Sequence, residues 1–193
     1  MPALNRLSAL LARTVDARNE ALVDPLTAIP NRLAFDQRLS EEWRRARRYK
    51  RPLGLLLLDL DELKEINDAE GRAAGDGVLR EVAECISAHI RDSDQVARFG
   101  DDEFVVLCPE TAAEALRQTA AKLWDRIDAR GIAISMGLAE LESGDESPHD
   151  LVARADVAMH QHKRRRHTAR HGLRRRQAAQ SATGRPDLAI PGA

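Results

Sequence analysis

Three acidic residues in a row, Asp101, Asp102 and Glu103, follow Gly100 in the stretch Arg98-Phe99-Gly100-Asp101-Asp102-Glu103-Phe104. Apolar residues lead in at Val96 and Ala97, and an apolar run, 104–108, leads out. Two β-type segments joined at Gly100-Asp101 predict a hairpin, because Gly followed by Asp suits a tight two-residue turn. The carboxylates then sit at its tip, either as a solvated turn or as ligands for a hard cation. A second acidic tip favours the cation: the apolar run 53–58 ends in Asp59-Leu60-Asp61, at the end of an expected buried strand. Carboxylates on two adjacent strand ends suit Mg²⁺ (or Mn²⁺) and a polyphosphate. The metal bridges phosphate oxygens and stabilises the charge that builds up during transfer.

The elements that must position these ends fit in one domain. The chain has 193 residues, enough for one core with extensions and too short for two ordinary domains. Its net charge of −1 gives the whole chain no electrostatic preference for nucleic acid or membrane. No apolar stretch spans a bilayer and residues 1–11 lack a signal-peptide pattern, so a cytoplasmic protein is expected. Cys85 and Cys108 lack CxxC spacing and read as buried free thiols.

Residues 1–23 carry Leu4, Leu7, Leu11, Val15 and Leu22 at helical steps. They predict a helix that either pairs two protomers or lies on its own domain. Two prolines in Asp24-Pro25-Leu26-Thr27-Ala28-Ile29-Pro30-Asn31-Arg32 break it, and Asn31 suits the N-cap of a following helix whose outer face, near 44–51, is basic. A helix from about Gly77 to Arg91 leads to the hairpin. Thr111 and Glu114 predict a capping box for a helix through Leu116, Leu123 and Ile127. A strand at 132–138, an acidic loop at 140–150 and a last helix through Leu151, Ala155 and Met159 complete the domain. His160 and His162, two apart on that helix, face different ways and do not read as a metal pair. Residues 169–193 read as a basic, then disordered tail, better explained as solvated than as a nucleic-acid or lipid contact.

Several of these stretches together resemble the GGDEF family, the diguanylate cyclases. Gly100-Asp101-Asp102-Glu103-Phe104 stands at the name-giving motif, with Asp101 for the second glycine. Residues 24–32 resemble Asp-x-Leu-Thr-Gly-Leu-x-Asn-Arg, with Ala28 for the glycine. Residues 61–68 resemble Asp-x-Phe-Lys-x-x-Asn-Asp, with Leu63 for Phe, and 71–76 resemble Gly-His-x-x-Gly-Asp, with Arg72 for His. Ser135-Met136-Gly137 resembles Ser-x-Gly, and 155–163 resembles Ala-Asp-x-Ala-Leu-Tyr-x-Ala-Lys. The resemblance covers 24–168. It implies an α+β, palm-like βαββαβ fold of the nucleotidyl-cyclase type, with an antiparallel-rich sheet and, as read here, helices on one face.

Diguanylate cyclases join two GTP molecules into cyclic di-GMP, each 3′-hydroxyl attacking the other's α-phosphate, so a homodimer is implied. By resemblance, Asp59, the Leu60 carbonyl and Asp102 would hold Mg²⁺. Glu103 would assist at the metal or act on the 3′-hydroxyl. Asn67 and Asp76 would read guanine, Gly100 would lie against the nucleotide, and Lys64 and Lys163 would meet its phosphates. Arg91-x-x-Asp94 stands at the spacing of the family's inhibitory site for cyclic di-GMP, with Lys122 near its partner cation.

Four departures, Asp101, Leu63, Arg72 and His167 (in place of a phosphate-binding arginine), stand against activity. Asp101 matters most, since a carboxylate about 5 Å from a phosphate charge, at an effective dielectric of about 20, repels it by about 3 kcal/mol. Two function classes follow: a diguanylate cyclase, or a degenerate domain that senses GTP or cyclic di-GMP.

Overall fold

The computed structural model describes residues 21–182. The expected N-terminal helix, 1–23, lies outside them up to residue 20, and its last three residues form a turn and a bridge instead of helix; residues 183–193 and the side chain of His167 also lie outside. A β-bridge between Val23 and Pro30 encloses the proline-flanked turn. Within it Ala28 takes φ +58°, the left-handed region that favours glycine, which explains why the family motif has glycine there. Ala28→Gly should therefore stabilise the protein by about 1 kcal/mol, read as a higher urea midpoint at unchanged m; no shift would mean that the turn adapts without strain.

Helix α1 (Arg32–Tyr49) starts as expected: the Asn31 side chain accepts from Ala34 N–H at 3.1 Å. Strand β1 (Leu53–Leu60) follows, then α2 (Leu63–Glu70), α3 (Arg72–His89), β2 (Gln95–Arg98), β3 (Glu103–Pro109), α4 (Ala113–Asp128), β4 (Ile134–Glu140) and α5 (Pro148–Ala182). The four strands form one sheet in the order β2-β3-β1-β4, antiparallel at every pairing. Helix α5 runs on through the basic stretch to Ala182.

Helices cover both faces of the sheet, not one. Leu56, Leu58 and Leu60 of β1 pack with Leu79, Val82 and Ile86 of α3 and Leu116, Leu123 and Ile127 of α4. The alternate residues Leu53, Leu55 and Leu57 pack with Phe35 and Leu39 of α1 and Leu151, Ala155 and Met159 of α5. This is why 53–58 is apolar throughout: a central strand covered on both sides has no solvent face. Cys85 and Cys108 are free and buried in the first layer, as expected.

Several local expectations change. The helix expected from about Gly77 to Arg91 runs from Arg72 to His89, and a separate helix, α2, precedes it. The last paired residues of the hairpin are Arg98 and Phe104, so its connection has five residues instead of two; Phe99 N–H and Gly100 N–H both donate to the Glu103 carbonyl, at 2.8 and 3.2 Å. The capping box does not form either. The Thr111 hydroxyl donates to the Pro109 carbonyl, and Glu140 from β4 accepts from Ala113 N–H at 2.7 Å, taking over one of the orphan donors of the helix start. Among the described residues no helix is long and apolar enough to cross a membrane.

Candidate active site

The two acidic tips meet. Strand β1 pairs with β3 so that Asp59 stands opposite Glu103, and Leu60 N–H donates to the Asp102 carbonyl at 3.0 Å. Asp59 is buried; Asp102 and Glu103 are half-buried. Burial first, then the fields of Asp59, Asp102 and Asp156, push the Glu103 carboxyl above its ordinary range. Burial raises Asp59 as well; Lys163 opposes this, while Asp102 and Asp61 add to it. Lys163, on α5, closes the cluster with Nζ at 2.5 Å from Asp59 Oδ1. Burial works against its charge, but Asp59, Asp61 and Asp102 hold its ammonium above the usual lysine range.

The hairpin tip is fixed from behind. Arg98 donates to the Asp101 carbonyl at 2.8 Å and to both carboxylate oxygens of Asp24, at 3.2 and 3.3 Å. Its own N–H reaches the Pro30 carbonyl. Burial tends to raise Asp24, yet its bonds from Thr27 and Arg98 hold its carboxyl below the usual range. Gly100 lies under Glu103, and a Cβ there would stand 2.6 Å from Glu103 Oε2. Asp101 is exposed and, like Gly100, has φ outside the left-handed region, so the turn holds an aspartate without backbone strain.

The residues read as guanine contacts gather at the α2–α3 corner. Asn67 packs so closely on Gly75 that a Cβ there would stand 2.1 Å from Asn67 Oδ1, which places Asn67 beside the residue preceding half-buried Asp76. Lys64 is exposed one turn earlier on α2. Arg91 and Asp94 lie together in the turn after α3, where Arg91 N–H donates to Asp94 Oδ2 at 3.2 Å and Asp94 N–H to the Arg91 carbonyl at 2.9 Å. Lys122 is exposed on α4, and no hydrogen bond or ion pair joins it to them. The residues thus form three groups: the acidic cluster with Lys163, the α2–α3 corner, and the Arg91–Asp94 turn.

The model of the family described as diguanylate cyclase, GGDEF domain, matches residues 21–169. The chain belongs to the GGDEF-domain family. The diguanylate cyclase DgcP of Pseudomonas aeruginosa is 41% identical over 158 residues, covering 77% of this chain and 23% of DgcP. The diguanylate cyclase TpbB of the same species is 38% identical over 176 residues, 83% of this chain and 40% of TpbB. This GGDEF chain therefore spans well under half the length of either. Among solved structures, the coiled coil and GGDEF domain of DgcB from Caulobacter crescentus in complex with c-di-GMP superposes at a TM-score of 0.78, with 29% identity, 84% of this chain and 91% of that one. The isolated GGDEF domain of TpbB superposes at 0.65, with 38% identity over 74% of this chain and 89% of that one.

The donor set of this GGDEF domain suits a hard divalent cation. Among the described residues no three His, Cys, Asp or Glu side chains form a metal-holding group. The cluster instead offers Asp59, Asp102 and the backbone end of β1, which is how Mg²⁺ is usually held: one or two carboxylates, with phosphate and water oxygens completing the shell. Carboxyls raised by burial and by each other, as Asp59 and Glu103 are, are relieved by such a charge.

Sequence reasoning missed the supports. Ser135 donates to Asp61 at 2.9 Å; Arg166 donates to the Ile134 carbonyl, stands 3.4 Å from Asp61 Oδ2 and lies over Trp124 at 4.8 Å. His162 accepts from Met136 N–H at 3.0 Å, a structural role. The available signal was helical phase: Met159, His162, Lys163 and Arg166 fall at i, i+3, i+4 and i+7, on one face.

Proposed function

We propose that the chain is a diguanylate cyclase domain, each copy holding one GTP and two copies facing each other to make cyclic di-GMP. The observation that carries this reading is the assembly of Asp59, Asp102, Glu103 and Lys163 at one strand end, together with an Asp101 that the turn accepts without strain. Asp59, the Leu60 carbonyl and Asp102 would hold Mg²⁺ or Mn²⁺, which when bound neutralises charge on the phosphoryl oxygens. Asn67 and Asp76 bind the guanine edge, and Lys64 and Lys163 the phosphates. Glu103, its carboxyl raised above its ordinary range by burial and neighbouring carboxylates, takes the proton of the 3′-hydroxyl. The freed oxygen bonds to the α-phosphorus of the GTP in the facing copy, the bond to the β-phosphate oxygen breaks, and pyrophosphate leaves. Repeating the step in the other direction closes the ring.

A second reading keeps the fold and drops the chemistry: a receptor for cyclic di-GMP. It is favoured by Arg91, whose exposed side chain is available while its N–H is tied to Asp94, a fork that suits phosphate or guanine. Mass spectrometry of nucleotide-stripped protein incubated with GTP and Mg²⁺ or Mn²⁺ separates the two. Cyclic di-GMP above an Asp102→Ala blank is expected from the wild type, with Asp101→Gly raising the rate about tenfold by removing the extra charge near the nucleotide. Product from Asp101→Gly alone would leave the receptor reading; product from neither would remove the cyclase reading.

A further inference from the structure

Helix α5 holds the backbone of Lys163 firmly. It lies so close on β4 that a Cβ at Gly137 would stand 2.0 Å from the Ala155 carbonyl oxygen and 2.3 Å from Met159 N. One turn on, His162 takes the Met136 N–H. Beyond Lys163, Arg166 is bound to the Ile134 carbonyl and paired with Asp61, which Ser135 holds in turn. With attachments on either side, a change of partner at Lys163 is a change of its side chain alone.

That side chain has two surroundings. One is Asp59, at 2.5 Å. Lys163 also lines a cleft of about 530 Å³ with His160, Arg164 and Thr168; Arg164 adds positive charge and N–H donors that suit phosphate oxygens, while the Thr168 hydroxyl donates to the Arg164 carbonyl at 3.0 Å. Asp59 is also the most buried carboxylate of the hard-oxygen set. An ammonium and a divalent cation therefore compete for the same oxygens.

We propose that Lys163 is an exchangeable resident cation, seated on Asp59 in the nucleotide-free protein and transferred to the nucleotide's phosphates on binding, so that free metal is turned away and metal and nucleotide enter together. The inference rests on the cleft being a metal–nucleotide site. It makes the two ligands cooperative, each raising affinity for the other by the same factor. It also gives the same lysine opposite effects on them: it opposes the bare metal and favours the nucleotide.

The test is Mn²⁺ binding by the full chain, followed by the paramagnetic resonance of free Mn²⁺, with and without a GTP analogue that cannot react. Asp59→Asn measures binding elsewhere on the protein. Lys163→Met and Lys163→Gln should bind Mn²⁺ without nucleotide about tenfold more tightly than wild type and the Mn²⁺–analogue complex about tenfold more weakly. Unchanged or weaker binding of free Mn²⁺ in both variants overturns the proposal. Should neither variant fold, the wild type decides: equal Mn²⁺ affinity with and without bound analogue overturns it, and a higher affinity with the analogue supports it. Failure of the analogue to bind any form would count against the GTP reading, while the free-metal comparison would still decide the role of Lys163.

Discussion

On the proposed cyclase reading, Glu103→Gln is expected to lower cyclic di-GMP formation by about 10²- to 10⁴-fold, the range a positioned general base contributes, and to leave binding of a GTP analogue near wild type. Glutamine keeps the shape over Gly100, where Glu103 Oε2 lies, and cannot accept the 3′-proton. The environment of Glu103 sets the size of the effect. Burial and the carboxylates of Asp59, Asp102 and Asp156 raise its affinity for a proton, which makes it a stronger base than an exposed glutamate. A steady-state comparison with titration of the analogue separates the outcomes. If rate and binding fall together, Glu103 serves the metal; if neither falls, it has no part in the reaction.

Gly137→Ala costs about 3 kcal/mol of folding stability, at the upper end of overpacking in a close-packed interior. The added methyl meets the Ala155 carbonyl and Met159 N, which are helix backbone and can yield only if α5 lifts from β4. Urea unfolding at constant m reads the loss. Because α5 carries Lys163, the variant should also lose product formation below its unfolding midpoint. A variant within about 0.5 kcal/mol of wild type, the spread of neutral surface changes, would mean that the helix and sheet adjust freely.

The sequence was informative where chemistry is local. The strand ending in Asp59, the hairpin carrying Asp102 and Glu103, and the Asn31 cap were all legible from neighbouring residues, and the order of the motifs made the family recognisable. What was not legible depends on partners far along the chain. The order of strands and helices was read as placing the helices on one face, whereas the unbroken apolar run in β1 fits a strand covered on both. Glu140 displaced the Thr111–Glu114 box from a strand 27 residues away from Ala113, and a capping pattern cannot register such a competitor. Lys163 and Asp59 are 104 positions apart; only the motif joined them. Arg166 was not singled out, because nothing in its neighbours announces the buried Asp61.

The bond between Met136 N–H and His162 has a further consequence, for self-association. Strand β4 is an outer strand of the sheet, and unpaired donors on an outer strand are a template on which another chain can add. His162 occupies one of them, and it can do so only while its ring nitrogen is free of a proton. Burial, and next to it the Arg166 guanidinium, keep the imidazole below the usual histidine range, so the bond persists at neutral pH and is given up in acid. The same helix that carries the lysine of the site thus takes up one donor of the edge on which strand addition would depend.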